Sequence, residues 1–331
     1  MRLGFAVKVL GRPDLPSNDA RRWQSGPHLR VSLAYLGAIF DYLAEAGISM
    51  YRISSDLAPY LTHPDLPQFH RQIEECAGEL ADLGARARDQ GLRLSFHPSQ
   101  YILLNSPDED LVRKSAADLE GQARILDAMG LGPEAVVVTH VGGVYGDTAA
   151  GRERWARVWD ELPEPARRRL VLENDDTRYG VADTLWIHER TGVPLVFDYL
   201  HHWCLGRAGL DQHEALAACL RTWPAGVTPK IHYSSPRTEM RLVERKSRKS
   251  GKVERVQAPP IWSGHADYLN PFELITFMRG AAAMPDFDLM IEAKLKDLAL
   301  LRLREDLARY APDVAARLAP AAPMARLGAE G

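Results

Sequence analysis

The chain has 331 residues, 44 acids against 41 bases and a formal net charge of −3, with 46% apolar and 26% charged residues. That make-up is ordinary for a globular protein and excludes disorder, collagen and coiled coil as global descriptions. At about 100–200 residues per domain the length suggests two domains, but an α/β barrel runs to about 250 residues or more as one unit.

In chain order, short apolar runs that read as strands alternate with helix-type runs. Strand 3–9 is followed by helix 29–46, apolar at Leu33, Leu36, Phe40 and Leu43 with three-to-four spacing. Strands 49–53, 93–96 and 135–139 precede helices 69–90, 107–129 and 152–162. Strands 170–172, 195–197, 230–233 and 289–291 precede helices 181–191, 212–222, 271–283 and 295–310. Several strands are nearly all apolar, as parallel strands buried on both faces are. Gly47, Gly91, Gly130 and Gly192 stand where four helices need a left-handed residue to end. Eight strand–helix pairs predict a single-domain (β/α)8 TIM barrel over residues 1–311. A doubly wound open sheet is the alternative, but neither Gly-x-Gly-x-x-Gly nor a phosphate-binding Gly-x-x-x-x-Gly-Lys-Ser/Thr occurs.

Two segments break the rhythm. A basic insertion, residues 237–262, follows strand seven. Its stretch 237–255 holds eight Lys/Arg and three Glu, a local charge of +5 in a mildly acidic chain. It is expected to be either a solvated, mobile loop or a contact for phosphates. Residues 312–331, rich in Ala, Pro and Arg, are expected to be a disordered tail. No apolar run approaches the roughly 20 residues that cross a bilayer, and no signal-peptide core follows Met1. Cys76, Cys204 and Cys219 are too scattered for a disulfide frame, which favours the cytoplasm.

In such a barrel the active site gathers at the C-terminal strand ends. Six consecutive strands here end in ligand types: His97, His140, Glu173, Asp198 with His201 and His202, His232, and Glu292. His265 closes the basic insertion. One such residue alone would be a hydrogen-bonded loop histidine or a helix cap, as Asp175 and Asp176 are read. Six in a row at the ends of apolar runs would be costly buried polar groups without a shared partner. Divalent metal ions are that partner, and mixed imidazole and carboxylate donors suit Zn²⁺, Mn²⁺ or Fe²⁺ over Ca²⁺ or Mg²⁺. Seven or eight donors can hold two or three ions. His201 is favoured as a ligand, with His202 supporting it from behind. His28, His63, His70, His188 and His213 are read as structural. No Ser-His-Asp or Cys-His order is evident. Several metals in a cleft point to hydrolysis, including phosphodiester cleavage without a covalent intermediate, or to isomerisation.

The motifs Leu3-Gly4-Phe5, Tyr51-Arg-Ile-Ser-Ser55, His97-Pro-Ser-Gln-Tyr101, His140-Val-Gly-Gly-Val-Tyr145, Leu172-Glu-Asn-Asp-Asp176, Phe197-Asp-Tyr-Leu-His-His202, Lys230-Ile-His-Tyr-Ser-Ser-Pro236, His265-Ala266 and Met290-Ile-Glu-Ala-Lys-Leu-Lys296 resemble the UV damage endonuclease (UvdE/UvsE-like) family, a distant relative of endonuclease IV. The resemblance spans residue 3 to about residue 303. It implies the (β/α)8 fold and three divalent ions, typically Mn²⁺, with Zn²⁺ or Mg²⁺ as alternatives. It also implies incision of double-stranded DNA immediately 5′ to UV photoproducts, leaving a 3′-hydroxyl and a 5′-phosphate, with abasic sites as further candidate substrates. By resemblance His97, His140 and Glu173 bind one ion and Glu173 bridges to a second, completed by Asp198, His232 and Glu292. His201 and His265 bind the third. Ser263-Gly264-His265 stands where endonuclease IV has Asp-x-His, so the third ion's remaining ligand is unassigned.

Lys230, read as facing away from His232, is a candidate for an electrostatic or modified-lysine role, with an ion-paired lysine as the alternative. Gln100 and Tyr101 match the pair that probes the duplex at the lesion; an aromatic and an amide can fill the gap left by extruded bases. Phe5 stands where some members have Tyr and Val9 where some have Asn, so lesion contact through Phe5 would lack a hydroxyl. Arg245, Lys246, Arg248 and Lys249 are candidate DNA contacts in the insertion. A monomer acting on nucleoid DNA, with neither membrane nor obligate protein partner, is expected. A metal-dependent sugar isomerase or epimerase on the same barrel, and a non-catalytic damage binder, are the competing readings.

Overall fold

The computed structural model describes residues 1–205, 209–246 and 251–318. Its strands in chain order are β1 (Leu3–Ala6), β2 (Met50–Arg52), β3 (Arg93–Phe96), β4 (Val136–His140), β5 (Leu170–Glu173), β6 (Leu195–Asp198), β7 (Lys230–Tyr233), β8 (Arg241–Lys246), β9 (Val253–Ala258) and β10 (Asp288–Ile291). The helices are α1 (Leu29–Glu45), α2 (Gln72–Glu75), α3 (Ala77–Asp89), α4 (Glu109–Ala128), α5 (Thr148–Trp159), α6 (Glu164–Arg169), α7 (Val181–Thr191), α8 (Tyr199–Leu205), α9 (Gln212–Leu220), α10 (Pro271–Gly280), α11 (Lys296–Tyr310) and α12 (Pro312–Arg317). Strands β1 to β7 and β10 close a parallel eight-stranded barrel, β10 pairing with both β7 and β1. It is the (β/α)8 barrel the alternation predicts. No helix among the described residues is long and apolar enough to cross a membrane.

Strand alternation sorts the side chains. One set (Leu3, Phe5, Tyr51, Phe96, Val137, Leu172, Phe197, Ile231, Tyr233, Leu289) joins the helix-facing core. The other set points into the barrel, because its members touch across strands that are not neighbours. Lys230 on β7 donates to Ser95 on β3, Arg93 on β3 pairs with Asp288 on β10, and His97 beyond β3 meets Glu173 on β5. The inward positions therefore stack as a floor of Arg93 and Asp288, a middle with Ser95 and Lys230, and a polar upper rim.

Gly47, Gly91, Gly130 and Gly192 take φ of 62, 61, 63 and 75°, the left-handed values expected after a helix. The helix predicted over 69–90 breaks at Cys76 into α2 and α3. Helices α6 and α8 lie outside the predicted pattern; α6 starts after Pro163, and α8 follows β6 with no intervening loop. The tail does not become irregular at Pro312. Pro312 opens α12, which packs on α10 and α11 and buries Val314, with Leu318 buried just beyond it; residues 319–331 lie outside the described residues.

The basic insertion is not an unstructured loop. β8 and β9 form an antiparallel hairpin standing off the barrel, with Arg245 opposite Glu254 and Lys246 opposite Val253. Backbone pairing of Pro236 with His265 closes its base, so the insertion leaves and rejoins the mouth at one point.

Candidate metal centre

Glu173 ends β5 on the inward side and is completely buried. Its Oε2 faces His97 Nε2 at 2.9 Å and His140 Nε2 at 3.7 Å. Its Oε1 faces His232 Nδ1 at 2.8 Å and His201 Nδ1 at 3.6 Å. His232 Nδ1 also lies 3.4 Å from Glu292 Oε1, and His265 Nδ1 lies 3.8 Å from Glu292 Oε2. Asp198 is buried beside them, its Oδ1 3.6 Å from His201 Nδ1. The predicted residues His97, His140, Glu173, Asp198, His201, His232, His265 and Glu292 thus meet at one rim. Two groups lie close enough to share an ion: His97 with Glu173 and His232, and Glu173 with Asp198, His232 and Glu292.

Ring orientation is set from outside the cluster. Nδ1 of His97 meets Pro98 O, that of His201 meets Asn174 O, and that of His265 meets Glu292 O, at 3.1, 3.0 and 2.8 Å. An Nδ1–H given to a carbonyl leaves Nε2 with its lone pair toward the cleft, the usual support of a metal-ligating imidazole. Asp198 Oδ2, His232 Nε2 and His140 Nδ1 are buried with no hydrogen-bond partner among the described residues. Buried polar atoms of this kind are costly unless something else satisfies them. The donor set and these orphaned atoms fit divalent metal ions.

Burial pushes the Asp198 carboxyl up to about 8; His201 opposes this and Glu173 adds to it. Burial also works against charge on His201, yet Asp198, Glu173 and Glu292 outweigh it and raise that imidazole to about 9. Burial takes His232 down to about 4. Glu292 stays well below the usual carboxylate range despite its burial because Arg52 and His232 face it; Arg52 Nη1 donates directly to its Oε1.

Arg52 and Asn174 are site residues that the sequence does not single out. Asn174 Nδ2 donates to Asp198 O and its Oδ1 accepts from Asp198 N, at 3.1 and 2.9 Å, stitching β5 to β6 beneath the ligands. A charged residue at an inward position of an apolar strand is the available signal for Arg52; Asn174 offers none beyond adjacency to Glu173.

A cleft of about 300 Å³ opens over the cluster, lined by His97, Gln100, His140, Asp175, His201 and His265. Asp175 accepts from the backbone N–H groups of Thr177, Arg178 and Tyr179, capping a turn and not a helix.

The chain matches the model of UV-endonuclease UvdE over residues 31–318. The chain belongs to that family. A UV DNA damage endonuclease of Bacillus velezensis is 36% identical over 269 residues, 80% of this chain and 77% of the relative. Another from Bacillus cereus is 32% identical over 282 residues, 84% and 81% of the two chains. The crystal structure of SacUVDE superposes with a TM-score of 0.74 at 29% identity, covering 93% of this chain and 98% of that one. A D-psicose 3-epimerase from Clostridium cellulolyticum shares the fold alone, with a TM-score of 0.50 at 12% identity over 96% of this chain and 94% of its own.

Not every expected residue of this UvdE-family chain reaches the mouth. Phe5 is fully buried on the helix-facing side, edge-on to Tyr51 with ring centroids 5.5 Å apart, so it has no surface to offer a lesion. Val9 is buried in the same core. Lys230 does not face away from His232: the two are two positions apart on β7, so both point inward. Lys230 is completely buried one layer down, its Nζ donating to Ser95 Oγ at 2.8 Å. Burial, with Arg52 and Arg93 nearby, holds its ammonium well below the usual range. His202 turns away from the cluster, packing on Phe197 and meeting Leu210 O at 3.2 Å, so it backs no ligand.

Gln100 lines the cleft and Tyr101 stands 72% exposed on the loop beyond β3. Arg245 and Lys246 are exposed on β8; Arg248 and Lys249 lie outside the described residues. Among the histidines read as structural, His28 caps α1, His188 meets Val193 O and His213 meets Phe277 O.

Proposed function

We propose that this chain hydrolyses the phosphodiester immediately 5′ to a UV photoproduct in double-stranded DNA, with abasic sites as a second substrate class. The observation that carries the reading is the convergence of eight imidazole and carboxylate groups at the mouth of a barrel belonging to the UvdE family. Glu173, with an oxygen toward each half of the cluster, would bridge two ions. His97 and His140 would complete one position, Asp198, His232 and Glu292 the other, and His201 with His265 a third. Mn²⁺ suits this donor set, with Zn²⁺ or Mg²⁺ as alternatives. Divalent ions held there supply Lewis acidity at both the attacking and the leaving oxygen of an in-line displacement.

The chain's own groups do the rest. Asn174 and the carbonyls behind His97, His201 and His265 hold the ligands in register. Lys230 braces the layer below through Ser95. Gln100 and Tyr101, on the loop beside His97, are placed to enter the duplex where the lesion is extruded, with base stacking on the ring worth about 1–3 kcal/mol. The hairpin, whose base adjoins the mouth at Pro236 and His265, carries Arg245 and Lys246 toward its far end, where they would meet phosphates away from the cut.

The test is supercoiled plasmid, irradiated or not, incubated with Mn²⁺-loaded protein. Nicks are expected in the irradiated DNA alone, none with a chelator, and termini bearing a 3′-hydroxyl and a 5′-phosphate. No nicking of irradiated DNA would refute the reading and return the sugar epimerase. Glu173→Gln should abolish nicking while leaving damaged-DNA binding within a fewfold of wild type; loss of both together would count against a catalytic Glu173.

A further inference from the structure

We infer that Lys296, with Lys8 beside it, is a positioning residue that grips a backbone phosphate of the incised strand next to the phosphate being cleaved. This rests on the DNA reading above and adds an anchor on the β1–β10 side of the mouth, separated by β2 from the β3 loop that carries Gln100 and Tyr101.

Lys296 opens α11, four residues beyond Glu292, with φ at 50°. A left-handed lysine at a helix start is strained where glycine or asparagine would serve at less cost. Strain held in place by its surroundings is a reason to look for a role. The side chain is half-buried and lies in the field of Arg52, Glu292 and Lys8. Neither Lys296 Nζ nor Lys8 Nζ has a hydrogen bond or ion pair among the described residues. The carboxylate in range, Glu292, already accepts from Arg52 and faces His232 and His265. Three cations around one committed acid repel one another, and an incoming anion relieves them. Burial and Arg52 accordingly hold the Lys296 ammonium below its usual range.

The arrangement is fixed by packing. Asp297, completely buried, accepts from the backbone N–H groups of Leu10 and Gly11 at 2.7 and 2.9 Å and from Tyr42 Oη at 2.8 Å. It thereby ties the segment after β1, which carries Lys8, to the first turn of α11, which carries Lys296. Leu295 N donates to Asp267 O at 3.1 Å and secures the same turn from the other side. The result is a pair of lysines beside the Glu292 edge of the ligand cluster, and lysine binds phosphate as a point charge from any direction.

Lys296→Asn removes the charge and keeps a residue that tolerates positive φ; Lys296→Arg keeps the charge. With Mn²⁺-loaded protein and an irradiated duplex, Lys296→Asn should raise KM about tenfold with little change in kcat. It should also flatten the slope of log affinity against log salt by about 1. Lys296→Arg should recover most of both. A neutral methylphosphonate walked along the incised strand should weaken wild-type binding at one position near the cut where the Asn variant is indifferent. An unchanged KM and salt slope, or identical methylphosphonate profiles for the two proteins, would overturn the inference. So would a lower Tm accompanied by a wild-type salt slope. Wild-type protein that does not nick irradiated DNA overturns the underlying reading as well, whereas nicking indifferent to Lys296 overturns this inference alone.

Discussion

A ligand is only as good as what aims it, and Asn174 aims two. Its side-chain amide fixes the backbone of Asp198 from both sides, and its backbone carbonyl, which Asn174→Ala would keep, takes Nδ1–H of His201. Asn174→Ala is therefore expected to cost about 10–100-fold in Mn²⁺ affinity or nicking rate, the usual range for groups supporting a metal ligand. Titration with Mn²⁺ followed by nicking assays at saturating metal separates the two. His97→Ala and His232→Ala should go further and lower the bound metal per chain by elemental analysis; full occupancy in both would refute their assignment. The acid–base state supplies another check. Without metal, burial raises the Asp198 carboxyl to about 8 and the carboxylates around His201 raise that imidazole to about 9, so the pair they form still holds protons at neutral pH. A cation must displace those protons, so metal affinity should rise from pH 6 to pH 8. Calorimetry in two buffers of different ionisation heat should find protons released at pH 7. The linkage has a counterpart in stability. A carboxyl whose folded value lies above the ordinary 3.8 contributes stability that is full below 3.8 and lost as the pH rises through about 8. Asp198 should therefore make the chelated protein less stable at pH 8 than at pH 5, and Asp198→Asn should remove that part of the difference.

At the scale of elements, period-two alternation makes the site legible. His97, His140, Glu173, Asp198, His232 and Glu292 all sit at inward parity at or just beyond a strand's end, so locating the strands locates the ligands. A motif says which residues recur, but strand parity decides where they point. Parity puts Phe5 in the helix layer and Lys230 under His232, against both expectations. The hairpin is illegible for a different reason. None of the described hairpin residues is fully buried, and Leu242 and Val253 are left exposed, so the hairpin's sequence carries charge without an apolar period. Helix α8 is hidden because it is only seven residues long and its buried anchors, Tyr199 and Leu200, follow directly on the apolar run of β6 and read as part of the strand's end. The hairpin's contribution to DNA binding is measurable without regard to its conformation. Neutralising Arg245, Lys246, Arg248 and Lys249 together should weaken affinity for irradiated and intact duplex alike. The salt slope should fall by about 0.9 for each phosphate that the variant no longer neutralises. An unchanged slope would make the hairpin a bystander.

Across the whole molecule, the barrel separates what must be reactive from what must hold. The upper rim gathers acids and imidazoles with orphaned atoms. The floor is a charged cluster whose acids and bases are paired, with only Arg93 Nη2 buried and without a hydrogen-bond partner among its atoms. Arg93, fully buried, pairs with Asp288 at 2.9 Å, donates to Thr228 O and Glu134 O, and lies over Trp223; Arg2 reaches the same carboxylate from the edge at 3.0 Å. These contacts join β1, β3, β7's approach and β10, so they close the barrel at the end away from the cleft. In such folds polar residues at the N-terminal strand ends serve stability and those at the C-terminal ends serve chemistry. Asp288→Ala would leave Arg93 buried without its counter-charge and should cost about 3–5 kcal/mol of stability by denaturant unfolding. Metal content and salt slope of the folded fraction should stay at wild-type values, since no rim ligand touches either residue. Replacing both partners, Arg93→Met with Asp288→Leu, should recover much of the loss, because an apolar pair leaves no charge stranded. A double variant as unstable as Asp288→Ala would show that Arg93 works through its carbonyl contacts to Thr228 and Glu134, and that the floor is closed by hydrogen bonds more than by charge.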